Sequence, residues 1–220
     1  MNAASQARIL SHAQEFAKER MGADSSGHDY WHADRVRKLA RRIALVEGAD
    51  VFIVELAAIL HDIDDEKFSG SATAGPAAIR DWLEGEGGLD RGTINTIVEI
   101  AATLSFHGAG VADVIMSPEG RCVRDADRLD AMGAIGIARA FAYGGKAGRS
   151  IHNPDIAPAL ANDRDTYHSA VGTTINHFHE KLLLLVNRMS TDEGKRIAAA
   201  RYDYMLDFVS RFEQEWRSEV

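Results

Sequence analysis

The sequence predicts an all-α protein of around nine helices joined by short loops. Apolar residues recur at helical spacing along the whole chain, and the alternation typical of strands is hard to find. Helix-capping residues precede several apolar stripes, among them Asp50, Asp90 and Thr191. At 220 residues without internal repeats, we expect a single domain over residues 1–220.

The N-terminal half is predicted to contain five helices, at about 9–21, 29–47, 51–60, 73–85 and 90–104. Gly48 is positioned to end the second helix, and Pro76 lies where a first turn tolerates proline. The segment 51–60, VFIVELAAIL, is apolar nearly all round. We therefore expect the third helix to be the central, most buried one.

The C-terminal half is predicted to be helical as well, apart from one long irregular stretch. Ser117 followed by Pro118 is a typical helix start. A helix of small residues is expected over 130–143, and glycine, proline and asparagine predict irregular structure over 144–164. Further helices are predicted at 173–188 and from Thr191 to Trp216.

Composition excludes several classes of function. Lys and Arg total 25 against 33 Asp and Glu, so the net charge is −8, which argues against polymeric nucleic acid or anionic membranes as partners. The one cysteine, Cys122, excludes an intrachain disulfide and a thiolate-rich zinc site. Neither a run of about 18 apolar residues nor a signal-peptide region is found, so we expect a soluble, cytoplasmic protein.

Two histidines and two aspartates form the sharpest chemical feature: His32, the pair His61 and Asp62, and Asp127. The pair directly follows the most apolar helix, where a carboxylate is costly unless it is paired or bound to metal. Nitrogen and oxygen ligands suit a borderline or hard divalent ion. The alternative is that the pair merely ends a helix and begins a solvated acidic loop.

These residues resemble the HD-domain metal-dependent phosphohydrolases. The matching segments are HADRV around His32, AAILHDIDD around His61 and Asp62, and VRDADRLDAMGA around Asp127. GHDYWHADRV, HDIDDEKF, RDADRLDAMGAIGIARAFAYGG and TINHFHEKLL further resemble small stand-alone bacterial HD proteins, a branch that includes a manganese-dependent nucleoside-triphosphate pyrophosphohydrolase. The resemblance spans about residues 9–216.

The resemblance implies an all-α fold in which His32, His61, Asp62 and Asp127 converge on one divalent ion. It implies a metal-binding core of about residues 28–130, with C-terminal helices at 165–217 packed on it. Manganese is the expected ion, with magnesium, iron, cobalt and zinc as alternatives. Only His107 lies between Asp62 and Asp127, whereas two-metal HD proteins usually place two histidines there, so we expect one ion per chain.

Residues near the motif are candidates for proton transfer and substrate contact. Asp65 stands four residues after His61 and is predicted as the base or water-orienting group if the helical turn continues. The alternative is a solvated acid. Lys67 either pairs with the acidic run or reaches a phosphate. His28 shares a face with His32 if the helix begins early, and is otherwise a solvent-exposed histidine.

Cations further along the chain are candidate phosphate contacts, because a leaving pyrophosphate carries several negative charges. The candidates are Arg128, Lys146 and Arg149. Asn176, His177, Glu180 and Lys181 fall on one predicted helix at spacings that can share a face. Asn176 and His177 are predicted to line the substrate pocket, the alternative being a polar stripe opposite Leu182 to Val186.

The predicted function is hydrolysis of nucleoside triphosphates to monophosphate and pyrophosphate by a metal-activated water. Two other phosphohydrolase activities stay open, alarmone hydrolysis and 5′-nucleotidase activity. A non-catalytic HD-fold ligand sensor is the third alternative. The expected partner is a small phosphorylated compound, and a homodimer is compatible with the sequence.

Overall fold

The computed structural model describes residues 1–22, 27, 29–64, 73–104, 110–160 and 172–220. Over these residues the secondary structure is entirely helical, with no strand, which confirms the all-α prediction. The α-helices are α1 (Ala3–Met21), α2 (Tyr30–Glu47), α3 (Val51–Leu60), α4 (Ala74–Glu86), α5 (Arg91–Thr103), α6 (Pro118–Asp130), α7 (Gly133–Lys146), α8 (Thr174–Glu180) and α9 (Asp192–Trp216), and a 3₁₀ helix spans Leu182–Arg188.

Capping side chains set several helix starts where the sequence predicts them. Asp50, Asp90 and Thr191 each accept a hydrogen bond from a backbone N–H in the first turn of α3, α5 and α9. Gly48 ends α2 with a φ of 73°, a left-handed conformation that glycine adopts without steric cost. These boundaries follow from local chemistry alone.

The bounds predicted for two helices are wrong: one helix begins later than predicted, and the other is divided in two. The helix expected over 130–143 begins only at Gly133: α6 ends at Asp130, and the N–H groups of Ala131 and Met132 bond to carbonyls three residues back. The helix expected over 173–188 also breaks, at Lys181, where φ is −140° and a 3₁₀ helix replaces the α-helix. In addition, α7 continues to Lys146, into the stretch expected to be irregular.

The chain divides into two compact units. Unit 1 comprises residues 1–105 and 114–127, and unit 2 comprises residues 106–113 and 128–220. The organisation as one domain with a core at 28–130 and helices at 165–217 stays a prediction. None of the helices in the described ranges combines the length and hydrophobicity that a membrane span requires.

Unit 1 is built around α3, as its composition predicts. Helix α3 packs against α1, α2 and α5, and its residues from Leu56 to Leu60 are at most 1 % exposed. An ion-pair bridge joins α2 to α3: the Arg37 guanidinium donates to Asp34 at 2.9 Å and to Glu55 at 2.7 Å. Because Arg37 is half-buried between two acids, this bridge fixes the relative position of the two helices.

Unit 2 contains α7, α8, the 3₁₀ helix and α9. Three phenylalanines from different helices, Phe141, Phe178 and Phe208, meet with ring centroids 5.7–6.1 Å apart. The N–H groups of Thr174 and Ile175 donate to the carbonyls of Ser150 and Ile151, which ties the segment after α7 to the start of α8.

Candidate metal centre

Four side chains of unit 1 converge, and they are the four that the sequence singles out. His32 lies in the first turn of α2, His61 and Asp62 follow α3, and Asp127 lies near the end of α6. The His32 Nε2 atom is 3.2 Å from Asp62 Oδ2 and 3.4 Å from Asp127 Oδ1. The His61 Nε2 atom is 3.4 Å from Asp62 Oδ1 and 3.8 Å from Asp127 Oδ1.

Local backbone structure explains why these side chains are presented. Asp29 caps α2, and its carboxylate accepts a hydrogen bond from the backbone N–H of His32 at 3.1 Å. At the other helix, the chain leaves α3 through a turn in which Ile63 N donates to Leu60 O at 3.1 Å. The first turn of one helix and the exit of its neighbour therefore face each other.

The tautomer of His61 is fixed by a backbone contact. Its Nδ1 atom lies 2.8 Å from the carbonyl oxygen of Ala58, which can only accept, so Nδ1 carries the proton. In the neutral ring Nε2 then holds a lone pair. That Nε2 atom is buried and has no hydrogen-bond partner in the described part of the chain. It faces the carboxylate oxygens of Asp62 and Asp127, which are acceptors too.

This arrangement fits a divalent cation. The lone pair of His61 Nε2 and the carboxylate oxygens of Asp62 and Asp127, which lie 3.4 and 3.8 Å away, repel one another unless a positive charge lies among them. Ligand atoms about 2.1 Å from a common ion are separated by about 3.0–3.4 Å, close to the observed spacing. One ligand atom each from His32, His61 and Asp127 lies within 4.8 Å of the others. The donor set, nitrogen with carboxylate oxygen, suits manganese, iron or zinc.

Burial differs between the two kinds of ligand. The imidazoles of His32 and His61 are at most 2 % exposed, whereas the carboxyl groups of Asp62 and Asp127 are 15 % and 33 % exposed. The two acids therefore lie on the solvent side of the cluster. Access for a small polar substrate is expected from that side.

The candidate proton-transfer and substrate-contact residues near the motif are not in the described ranges. Asp65, Lys67 and His28 lie outside them, and their roles stay predictions. The predicted role of Asp65 as base requires that the helical turn after His61 continue, and it does not continue through Asp64. Asp64 has a φ of 49°, so the right-handed helical path ends before Asp65.

Arg128 is engaged by protein groups within unit 2. Its guanidinium donates to both carboxylate oxygens of Asp113, at 2.8 and 2.5 Å, and to the carbonyl of Arg188 at 2.6 Å. The side chain is only 4 % exposed. This geometry gives Arg128 a structural contact, and its assignment to phosphate stays a prediction.

The other predicted substrate contacts, Lys146, Arg149, Asn176 and His177, also belong to unit 2. Lys146 is exposed in the last turn of α7. Buried Asn176 donates to the carbonyl of Ile156 at 2.8 Å. Burial, together with the positive charges of Lys181 and Arg149, lowers the pKa of His177 to about 3. His177 is therefore neutral near pH 7, where it can offer a phosphate a hydrogen bond but no charge.

One ion pair beside the cluster has no recognisable signal in the sequence. Arg20, in the last turn of α1, donates to Asp64, two residues after Asp62. The partners are 44 positions apart, and Arg20 lies outside the segments that resemble the HD family. Only the folded chain reveals their pairing.

Comparisons with known proteins agree with this site. A family model described as the HD domain matches residues 30–132, which contain His32, His61, Asp62 and Asp127. The uncharacterised protein YpgQ of Bacillus subtilis (strain 168) is 37 % identical over 193 residues, covering 87 % of this chain and 86 % of YpgQ. The chain therefore belongs to the HD domain family.

Solved structures extend the likeness to the fold. A Lactobacillus plantarum protein has a TM-score of 0.85 at 38 % identity, covering 96 % of this chain and 98 % of that one. An HD-superfamily hydrolase from Bacillus thuringiensis has a TM-score of 0.75 at 39 % identity, with coverage of 96 % and 98 %. The structure of B. subtilis YpgQ in complex with ADP has a TM-score of 0.77 at 29 % identity, with coverage of 96 % for each chain. The predicted family and enzyme class, an HD-superfamily hydrolase, are confirmed.

Proposed function

We propose that this enzyme is a metal-dependent phosphohydrolase that converts nucleoside triphosphates, deoxy forms before ribo forms, to monophosphate and pyrophosphate. His32, His61, Asp62 and Asp127 hold one divalent ion, manganese in the first instance. The observation that carries the proposal is the buried Nε2 lone pair of His61 facing two carboxylates.

A nucleotide as substrate is supported by a relative. The YpgQ structure contains ADP, a compound with an adenine base, a ribose and two phosphates. The preference for triphosphates and for deoxy sugars rests on the resemblance to the small stand-alone HD branch. A protein with a net charge of −8 needs local positive charge to accept such an anion, and a divalent ion provides part of it.

The side chains of the cluster have distinct tasks in this proposal. His61 is oriented by Ala58, so its Nε2 lone pair faces the carboxylates of Asp62 and Asp127, with which it would hold the ion. Asp62 and Asp127 contribute two negative charges, which hold a divalent ion more firmly than neutral ligands do. When bound, the ion polarises a phosphoryl oxygen and lowers the pKa of water.

Water attacks the substrate directly in this proposal, so the reaction requires no protein nucleophile. The oxygen of water forms a bond to the α-phosphorus while the bond from that phosphorus to its bridging oxygen breaks. Pyrophosphate leaves with the bridging oxygen, and Asp65 accepts the proton of the attacking water. Cys122 is no alternative nucleophile, because burial and the negative charges of Glu47, Asp125 and Glu119 raise the pKa of its thiol to about 12.

The alternatives have weaker support. Alarmone-hydrolysing HD enzymes carry His-Asp-x-x-Glu-Asp, whereas this chain reads HDIDDE from His61, with the acidic order reversed. A sensor would be supported by degenerate ligands, yet His32, His61, Asp62 and Asp127 are all present and adjacent.

The test is a product assay over a panel of nucleotides with manganese, magnesium, iron, cobalt and zinc in turn. We expect deoxynucleoside triphosphates with manganese to release pyrophosphate and monophosphate in equal amounts. The Asp127→Asn variant should lose this turnover, and Asp81→Asn, which changes an exposed carboxylate on α4, should retain it.

Other products would identify other activities. Orthophosphate from nucleoside monophosphates would make the enzyme a nucleotidase, and pyrophosphate from the guanosine 3′ position would make it an alarmone hydrolase. Absence of turnover with every metal and nucleotide, despite bound metal, would favour the sensor.

A further inference from the structure

We propose that Arg20 is a positioning residue for the metal centre, which acts through Asp64 on the turn that presents Asp62. The inference rests on the proposed function to the extent that the cluster binds a divalent ion. It concerns a residue on α1, outside the segment matched by the HD family model.

The turn after α3 has an unusual backbone. Among the non-glycine residues that the structure describes, only Asp64 and Ser218 have a positive φ, and for Asp64 it is 49°. An L-residue in this region is sterically disfavoured, so surrounding contacts must hold it there. The conformation of Asp64 determines the direction in which the chain leaves Asp62 and Ile63.

Arg20 supplies one of those contacts. Its guanidinium donates to Asp64 Oδ2 at 2.5 Å, and the Asp64 side chain is 29 % exposed. The guanidinium also lies 5.8 Å from the ring centroid of Phe16, which in turn stacks on Trp82 with centroids 5.4 Å apart. The cation is therefore held in place on the surface of α1, rather than projecting freely into solvent.

Gly75 packs closely against the same turn. A Cβ atom built at this position would clash with the carbonyl oxygen of Ile63 and lie 3.3 Å from that of Asp64. Only glycine lets the first turn of α4 approach so closely. The turn that follows Asp62 is thus contacted by both α1 and α4.

The contacts of Arg20 and Gly75 with this turn affect metal binding because Asp62 is two residues from Asp64. The two carboxylate oxygens of Asp62 lie 3.2 Å from His32 Nε2 and 3.4 Å from His61 Nε2, and a small rotation of the turn changes both distances. Since ligand geometry sets metal affinity, loosening the turn should weaken metal binding before it unfolds the protein.

The experiment measures the dissociation constant for Mn²⁺ on metal-stripped full-length protein by calorimetric titration, together with the melting temperature of the apoprotein. We expect Arg20→Met to weaken Mn²⁺ binding by on the order of 10-fold, and Arg20→Lys to recover part of the loss. Arg8→Met is the matched control, because it removes another α1 ion pair, Arg8 with Glu86 at 3.2 Å. It should bind Mn²⁺ like the wild type.

A double variant tests whether the effect of Arg20 on Mn²⁺ affinity passes through Asp64. If Arg20 acts through Asp64, Arg20→Met combined with Asp64→Asn should bind Mn²⁺ no more weakly than the weaker single variant. Additive losses would overturn that route.

The outcomes separate this inference from the proposed function. Wild-type protein that binds no divalent ion would overturn both. Wild-type protein that binds Mn²⁺, with Arg20→Met equal to Arg8→Met in affinity, would overturn only the positioning role. A lowered apoprotein melting temperature for Arg20→Met with unchanged Mn²⁺ affinity would also overturn it, because the pair would then be merely structural.

Discussion

His61 shows how a single backbone contact prepares a side chain for chemistry. Its Nδ1–H donates to the carbonyl oxygen of Ala58, so in the neutral ring Nε2 holds a lone pair. Nε2 is buried and lacks a hydrogen-bond partner among the described residues. Leaving such an atom unsatisfied costs free energy, so a native partner is expected. The adjacent carboxylates make a divalent cation a fitting partner.

Removing a ligand should therefore empty the site. We expect His61→Ala and Asp62→Asn to lose the divalent ion, because the remaining ligands are too few to hold it. Both variants should also melt at a lower temperature than the holoprotein, since bound metal stabilises the folded state. Elemental analysis of the purified variants checks the first expectation and calorimetry the second. Full metal occupancy in both would remove these residues from the ligand set.

Asp65 carries a prediction from sequence alone. Asp65→Asn should keep the metal and reduce turnover by about 10²–10⁴-fold, the usual scale of general acid–base assistance. The amide preserves size and polarity but removes the proton acceptor. Unchanged turnover would make Asp65 a surface acid, and loss of metal would make it a ligand.

The lowered pKa of His177 predicts that the free energy of unfolding depends on pH. Burial and the charges of Lys181 and Arg149 lower its pKa from 6.5 to about 3, so the unfolded chain binds this proton more readily than the folded one. Its contribution is fully present above pH 6.5 and is lost as the pH falls toward 3.

Denaturant unfolding at pH 7.5 and at pH 5 measures the contribution of His177 to the free energy of unfolding. The wild type should lose more stability on acidification than His177→Asn does, and His179→Asn, on the same helix, controls for removal of a histidine. Equal losses for the wild type and His177→Asn would contradict the shift.

The role of Arg128 shows why some side chains could not be assigned from sequence. A buried arginine beside the motif is a reasonable phosphate contact, but in the fold it bonds to Asp113 and to the carbonyl of Arg188, 60 positions away. Asp113 lies in a loop and Arg188 ends the 3₁₀ helix, and no local pattern reveals that either approaches Arg128. His32, His61, Asp62 and Asp127, in contrast, are recognisable because each lies in a short segment that resembles the HD pattern.

At the scale of elements, several capped helix starts were predictable, whereas the start of α1 at Ala3 rather than near residue 9, and two helix breaks, were not. Asp50, Asp90 and Thr191 cap helices through hydrogen bonds three residues away or fewer, which sequence shows directly. The break at 131–132 precedes Gly133, whose φ of 69° is a left-handed conformation that glycine adopts without steric cost. The change to a 3₁₀ helix after Lys181 occurs within a leucine-rich stretch whose composition favours an α-helix, so local propensity does not reveal it.

The cap of α9 supports a stability prediction. Thr191 is buried, and its Oγ accepts from Gly194 N at 3.0 Å. Thr191→Ala should lower the free energy of unfolding by about 1 kcal/mol, measured by urea denaturation, because that N–H loses its partner. Asn2→Ala, which removes the exposed cap of α1, should cost less, since the first turn of α1 is solvent-exposed and can fray. No change in Thr191→Ala would contradict the capping role.

For the molecule as a whole, negative charge and a local cation site are complementary features. A net charge of −8 repels anions from most of the surface, so productive binding of a phosphorylated substrate depends on the few positive centres. The divalent ion proposed among His32, His61, Asp62 and Asp127 is the strongest of these. Removing it should therefore abolish both binding and turnover.

The most direct measurement is turnover of a generic phosphodiester by metal-stripped protein as Mn²⁺ is added back. We predict no turnover in the stripped protein and full recovery at about one equivalent of Mn²⁺ per chain. His61→Ala should show no recovery, while His12→Ala, a partly exposed histidine paired with Glu86 on the surface of unit 1, should recover fully. Turnover that persists without metal, or that returns in His61→Ala at one equivalent, would contradict the assignment of this cluster as the catalytic metal centre.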